Sequence, residues 1–96
     1  HSSHVYRSGI NLYFSFAATF DDTAQMEPAY FAGWRAIMEA TARHGGGVAH
    51  HHGAGRLRKP YLHHDLGDEG VALLRRIKAA LDPQGIMNPG NLIPDA

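Results

Sequence analysis

Between Gly45 and Gly55 the chain places five glycines around three consecutive histidines, His50, His51 and His52. Glycine gives up more backbone freedom on ordering than any other residue, so the helical patterns on either side must stop before this stretch and restart after it. Three imidazoles followed by Arg56, Arg58 and Lys59 concentrate proton-transfer and anion-binding groups that core packing does not require. Histidine exchanges protons near neutral pH, and arginine and lysine offer forked and point-charge donors to a phosphate or carboxylate. If Val48 to His52 are extended, alternation puts His50 and His52 on one face and His51 on the other. The competing reading is a solvated polar loop.

The flanking segments have clear periods. Ile10, Leu12, Phe14 and Phe16 alternate with Asn11, Tyr13, Ser15 and Ala17, which predicts a strand over 9–20 with an apolar face toward helices and Tyr13 on the other face. Tyr13 is then either a pocket phenol or an ordinary strand aromatic. Asp21, Asp22 and Thr23 are candidate caps. After them Met26, Tyr30, Phe31, Trp34, Ile37, Met38 and Ala42 recur every three or four residues, predicting a helix ended by Gly45. This stripe reads as core, and His44 as a cation near the helix C-terminus.

Lys59 to Leu62 is expected to break regular structure, leaving His63 and His64 exposed, and Asp65 or Asp68 to start the last helix. Leu66, Gly70, Leu73, Leu74, Ile77 and Leu81 would form its apolar stripe, with Arg75, Arg76 and Lys78 toward water. Asp82-Pro83-Gln84-Gly85 ends it, and the apolar, turn-rich tail to Ile93 should dock on something.

A chain of 96 residues with no net charge is one domain or part of one, and it carries no nucleic-acid or anionic-membrane signature. The absence of cysteine excludes disulfides, thiolate metal sites and cysteine nucleophiles. No apolar run reaches the roughly 20 residues a membrane helix needs. The chain starts at His1 without a methionine or leader pattern, so it is expected to be a segment of something longer. The elements predict an α+β fold: the strand from Gly9, a short extended piece through the histidines, and two main helices packed against them.

The order of motifs resembles the C-terminal end of the FAD-linked oxidase family. The likeness rests on His4-Val5-Tyr6, then Gly9 with Leu12-Tyr13-Phe14-Ser15-Phe16, the long helix, and His50-His51-His52-Gly53-Ala54-Gly55-Arg56-Leu57-Arg58-Lys59. It continues through Ile77 to Pro83 and ends on Ile86-Met87-Asn88-Pro89-Gly90-Asn91-Leu92. Three histidines followed by Gly-x-Gly-x-Leu-Arg-Lys point to the alkylglycerone-phosphate synthase branch. The Asn-Pro-Gly-Asn-Leu ending is closer to the oxidase branch, which includes glycolate oxidase and D-lactate dehydrogenase subunits.

The resemblance implies that residues 1–96 are the C-terminal segment of a flavoenzyme cap (substrate) domain, an antiparallel sheet with helices packed on one face, whose FAD-binding domain is absent from this chain. The segment alone is expected to be inactive. Synthase chemistry would replace a fatty acid by a fatty alcohol on dihydroxyacetone phosphate without net redox. Oxidase-branch chemistry would dehydrogenate a 2-hydroxy acid or alcohol. The motifs carry over Tyr13, His50, His51 and His52 as proton handlers, with His52 foremost. Arg56, Arg58 and Lys59 become candidate phosphate-binding residues, and His51 and Asn91 candidate FAD contacts. The implied partners are a small-molecule or lipid-like substrate and the FAD-binding domain, with a homodimer compatible, in the cytoplasm or at a membrane periphery. The alternative from another class is a metal-binding module using His50, His52, His63 and His64.

Overall fold

A computed structural model describes residues 1–94. The chain forms two compact units, His1–Trp34 and the residues from Arg35 onward. The long first helix contributes to both.

The first unit opens with a hairpin. β1 (Ser2–Tyr6) and β2 (Gly9–Leu12) pair antiparallel, with Ser2 opposite Leu12 and Tyr6 opposite Gly9. The register slips between Ser3 and Val5, where His4 takes a positive φ of 53°. His4 is therefore the extra residue of a bulge. The strand expected over 9–20 is thus only its first four residues. The apolar alternation runs on to Phe16, but only Gly9–Leu12 pair with β1. Tyr13 adds one backbone bond, its N–H donating to the carbonyl of His1 at 2.7 Å. Ile10, Leu12 and Phe14 lie exposed. Phe16, also exposed, sits beside Gly33 and the ring of Tyr30, 5.5 Å between centroids.

Asp22 caps as expected, its side chain accepting from the Ala24 N–H at 2.9 Å. A 3-10 turn (Thr23–Gln25) leads into α1 (Met26–Arg43). The predicted stripe divides along it: Met38 is buried, while Met26, Tyr30 and Phe31 are 52%, 45% and 42% exposed.

In the second unit the buried apolar residues are Met38, Val48, Ala54, Leu62 and Val71. One comes from α1, two from the glycine-histidine segment and two from α2 (Leu62–Leu81). The expected break at Lys59 to Leu62 is a 3-10 turn (Lys59–Tyr61) that runs straight into α2. Proline fits there because the first turn of a helix does not need its N–H. His63 and His64 therefore stand on the first turn of α2, ahead of a kink at Gly67 (φ 68°, ψ 168°).

The buried face of α2 also differs from the expected stripe. Leu66, Leu73, Ile77 and Leu81 are exposed, whereas Val71 is buried and Leu74, Arg75 and Lys78 are half-buried. Arg75 and Lys78 turn inward because they hold the tail. Arg75 Nε donates to the Pro94 carbonyl at 3.0 Å, and the Lys78 ammonium donates to the Asp82 carboxylate and the Met87 carbonyl. Asp82, 7% exposed, accepts from the Ile86 and Met87 amides at 3.1 and 2.9 Å. The apolar tail is thus docked through polar groups on its own preceding helix.

The Lys78 ammonium, followed by the Met87 amide, holds the Asp82 carboxyl below the ordinary carboxylate range, against the opposing pull of desolvation. A depressed folded-state value means this contribution is complete above the unfolded carboxylate range, about pH 4, and is lost as pH falls through the folded value. Hydrogen exchange should show protection of the Ile86 and Met87 amides weakening below about pH 4. Asp82→Asn should weaken it already at neutral pH, leaving Val71 and Leu74 protected.

Candidate functional site

The segment carrying the histidines begins where α1 is capped. The Gly45 N–H donates to Ala42 O at 3.0 Å and the Gly46 N–H to Thr41 O at 2.9 Å. These are the paired bonds of a Schellman cap, with Gly45 at φ 72° in the left-handed position. The chain then buries Val48, exposes His50, His51 and His52, and buries Ala54. Two small apolar anchors therefore hold the ends of a segment whose imidazoles face solvent.

Val48 is 5% exposed, so its amide is largely sealed from water and needs a partner inside the protein. That partner is the side chain of Asp65, on α2. Its two oxygens accept from the Val48 N–H at 2.9 and 3.1 Å, and the second also accepts from the Ala49 N–H at 3.2 Å. Leaving such an amide unpaired costs about 1–3 kcal/mol. Sequence reasoning placed Asp65 as a candidate helix start, because an aspartate ahead of a helical pattern is read locally as a cap. Its real partners lie 16 and 17 residues upstream.

The histidine segment is not a strand, and its rings do not alternate across two faces. Successive rings touch instead: His50 and His51 meet edge to face at 5.0 Å with Nδ1 atoms 2.7 Å apart, and His51 meets His52 at 4.2 Å. One Nδ1 of the first pair must donate and the other accept. Extended geometry fails because Val48 and Ala49 bond a side chain rather than a neighbouring strand, and because Gly53 turns the chain at φ 74°, a conformation other residues rarely adopt.

Beyond it, the Arg58 N–H returns to Ala54 O at 3.1 Å, forming a turn. Arg56 is exposed, while Arg58 and Lys59 are half-buried. The tail closes on the same place, the Leu92 N–H donating to Gly55 O at 3.3 Å. Asn91, next to it, is half-buried and donates to the Asn88 side chain at 2.7 Å. Tyr13 belongs to the first unit, half-buried and stacked on the His1 ring at 4.6 Å. His63 and His64 pair with each other at 4.0 Å. Among the described residues, no three of His50, His52, His63 and His64 bring ligand atoms within 4.8 Å of one another, so the four-histidine metal site is not assembled. No helix among them is long and apolar enough to cross a membrane.

Comparison with known proteins gives a family match over residues 1–92, to the C-terminal domain of FAD linked oxidases. An alkyldihydroxyacetonephosphate synthase of Trypanosoma brucei brucei is 37% identical over 98% of this chain, and one of Dictyostelium discoideum 32% over the same share. The mitochondrial D-2-hydroxyglutarate dehydrogenase of Danio rerio is 38% identical over 79% of it. The chain spans only 15% of the length of each of those synthases and 13% of that dehydrogenase. No solved structure matches.

The cap that starts the segment makes a direct prediction. Gly45→Ala forces a side chain into the left-handed region and should lower stability by about 1 kcal/mol, measured as a shift in the urea midpoint.

Proposed function

We propose, since this chain belongs to the FAD-linked oxidase family through its C-terminal domain, that it forms part of an ether-forming flavoenzyme. That enzyme would be an alkyldihydroxyacetonephosphate synthase acting on acyl-dihydroxyacetone phosphate and a fatty alcohol. The observation that carries this reading is the near full-length likeness to synthases, 37% and 32% identical. It runs through the His50-His51-His52-Gly53-x-Gly55 segment with its trailing Arg56, Arg58 and Lys59.

The donor set suits a flavin. His51 offers an imidazole and Asn91 a carboxamide, both suited to a polar ring edge, and the Leu92 to Gly55 bond ties the tail to the histidine segment. When bound, FAD supplies a ring that can take electron density from a substrate carbon. The chain's own part is proton handling and anchoring. An imidazole, His52 foremost, takes the proton from the substrate carbon, with Tyr13 as a second proton handler. Arg56, Arg58 and Lys59 hold the phosphate by charge-assisted hydrogen bonds. Across the full exchange one C–O bond breaks, another forms, and the alcohol's proton leaves with the fatty acid, so no electrons are gained or lost overall. The FAD-binding domain of the same protein is the partner we assign to exposed apolar residues such as Val5, Phe14, Leu81 and Ile86.

A second reading is favoured by the likeness to the D-2-hydroxyglutarate dehydrogenase. There the same cations would hold a carboxylate, and the histidines would take the hydroxyl proton of a 2-hydroxy acid.

The flavin spectrum of the full-length protein separates the two. Without oxygen, bleaching by an acyl-dihydroxyacetone phosphate and recovery on adding a fatty alcohol, with fatty acid released, is the expected result. Bleaching by a 2-hydroxy acid that reverses only with an electron acceptor would assign the dehydrogenase reaction instead. A full-length protein with no flavin would exclude both. In either reaction His52→Ala and Tyr13→Phe should lower kcat about 100-fold or more without loss of bound flavin.

A further inference from the structure

The histidine segment owes its backbone course to a residue that neither the motif nor the family likeness brings into the site. We propose that Asp65 is a positioning residue: by accepting the Val48 and Ala49 amide protons, its carboxylate fixes the backbone from which His50, His51 and His52 project. This inference rests on the reading of those histidines as proton handlers.

Three observations support it. The carboxylate makes three contacts to two consecutive amides, at 2.9, 3.1 and 3.2 Å, so it fixes the orientation of successive peptide planes rather than one point. The next residues along the chain are the histidines themselves, so a rotation of the Ala49 peptide is passed directly to His50. The ring contacts from His50 to His51 and from His51 to His52 then carry it across all three. The site is also held elsewhere: Val48 and Ala54 are buried on either side, and Leu92 bonds Gly55. Removing Asp65 should therefore release the histidines locally without unfolding the unit.

Asparagine in place of Asp65 keeps the shape but can present only one oxygen, with an NH2 group facing an amide donor. Misplacing a reacting group by an ångström can cost about 100-fold in rate. In the flavin-loaded full-length protein, Asp65→Asn should lower kcat about 10- to 100-fold, with KM within about twofold. Asp65→Glu, which keeps the carboxylate, should recover most of that loss. Hydrogen exchange over residues 47–53 should accelerate about tenfold or more in Asp65→Asn while α2 beyond Gly67 is unchanged. A double-mutant cycle shows whether Asp65 acts through the histidines. In a His52→Ala background Asp65→Asn should change kcat less than about twofold, whereas an equal fall in both backgrounds would show a general structural role and overturn the proposal. Should neither variant fold, exchange in the unsubstituted protein still decides, because Val48 and Ala49 amides that exchange like an open loop would contradict the clamp. A full-length protein with no flavin turnover would remove the functional reading and the proton-handling half of this proposal, but unchanged exchange in Asp65→Asn would remove the clamp itself.

Discussion

Two amides, those of Val48 and Ala49, end on one carboxylate, that of Asp65, and the second unit is arranged around that convergence. A glycine-rich stretch gains little from its own propensities and has a large conformational entropy to lose. It acquires a definite course only if neighbouring elements supply the partners. Here α1 supplies a Schellman cap at its entrance, α2 supplies Asp65, the small side chains of Val48 and Ala54 enter the core, and the tail adds a bond to Gly55. The exposed histidines are the remainder: side chains left at the surface by a backbone whose partners lie on either side of it.

The tail depends on a second carboxylate in a similar way. Asp82 ends α2, gathers the Ile86 and Met87 amides and is neutralised by Lys78. The run Asp82-Pro83-Gln84-Gly85 thus does more than stop a helix. It turns the chain back so that Leu92 can reach Gly55, which links the histidine segment and the tail that follows Asn88-Pro89-Gly90 through backbone rather than through side chains. Both carboxylates, the exposed Asp65 and the buried Asp82, satisfy main-chain donors.

How far the sequence could be read depends on whether the controlling interaction was local. The helix α1 and its end at Gly45 follow from three- and four-residue spacing and a glycine with a left-handed φ, both visible within a few residues. The α+β class and the end of α2 at Asp82 were legible for the same reason. The strand β1 was not, since Ser2 to Tyr6 has no apolar alternation, and β2 was read too long because alternation of residue types continues past the four residues that pair. Arg75 and Lys78 were placed toward water by their charge, although both are half-buried and their heads reach tail carbonyls. The histidines were identified by composition and family likeness, but their arrangement was not, because the residue that sets it lies beyond the next turn. Asp65 could have been suspected only by asking which side chain could satisfy the amides of a segment too rich in glycine to pair as a strand.

The central claim is that a histidine segment held by Asp65 faces the reacting end of a flavin-bound substrate. An experimental structure of the flavin-loaded full-length protein with an unreactive substrate analogue tests it most directly. The account predicts an imidazole nitrogen of His50, His51 or His52 within hydrogen-bond reach, about 3 Å, of the analogue, with Asp65 still accepting from Val48 and Ala49. A histidine segment turned to solvent on a face remote from the flavin would contradict it.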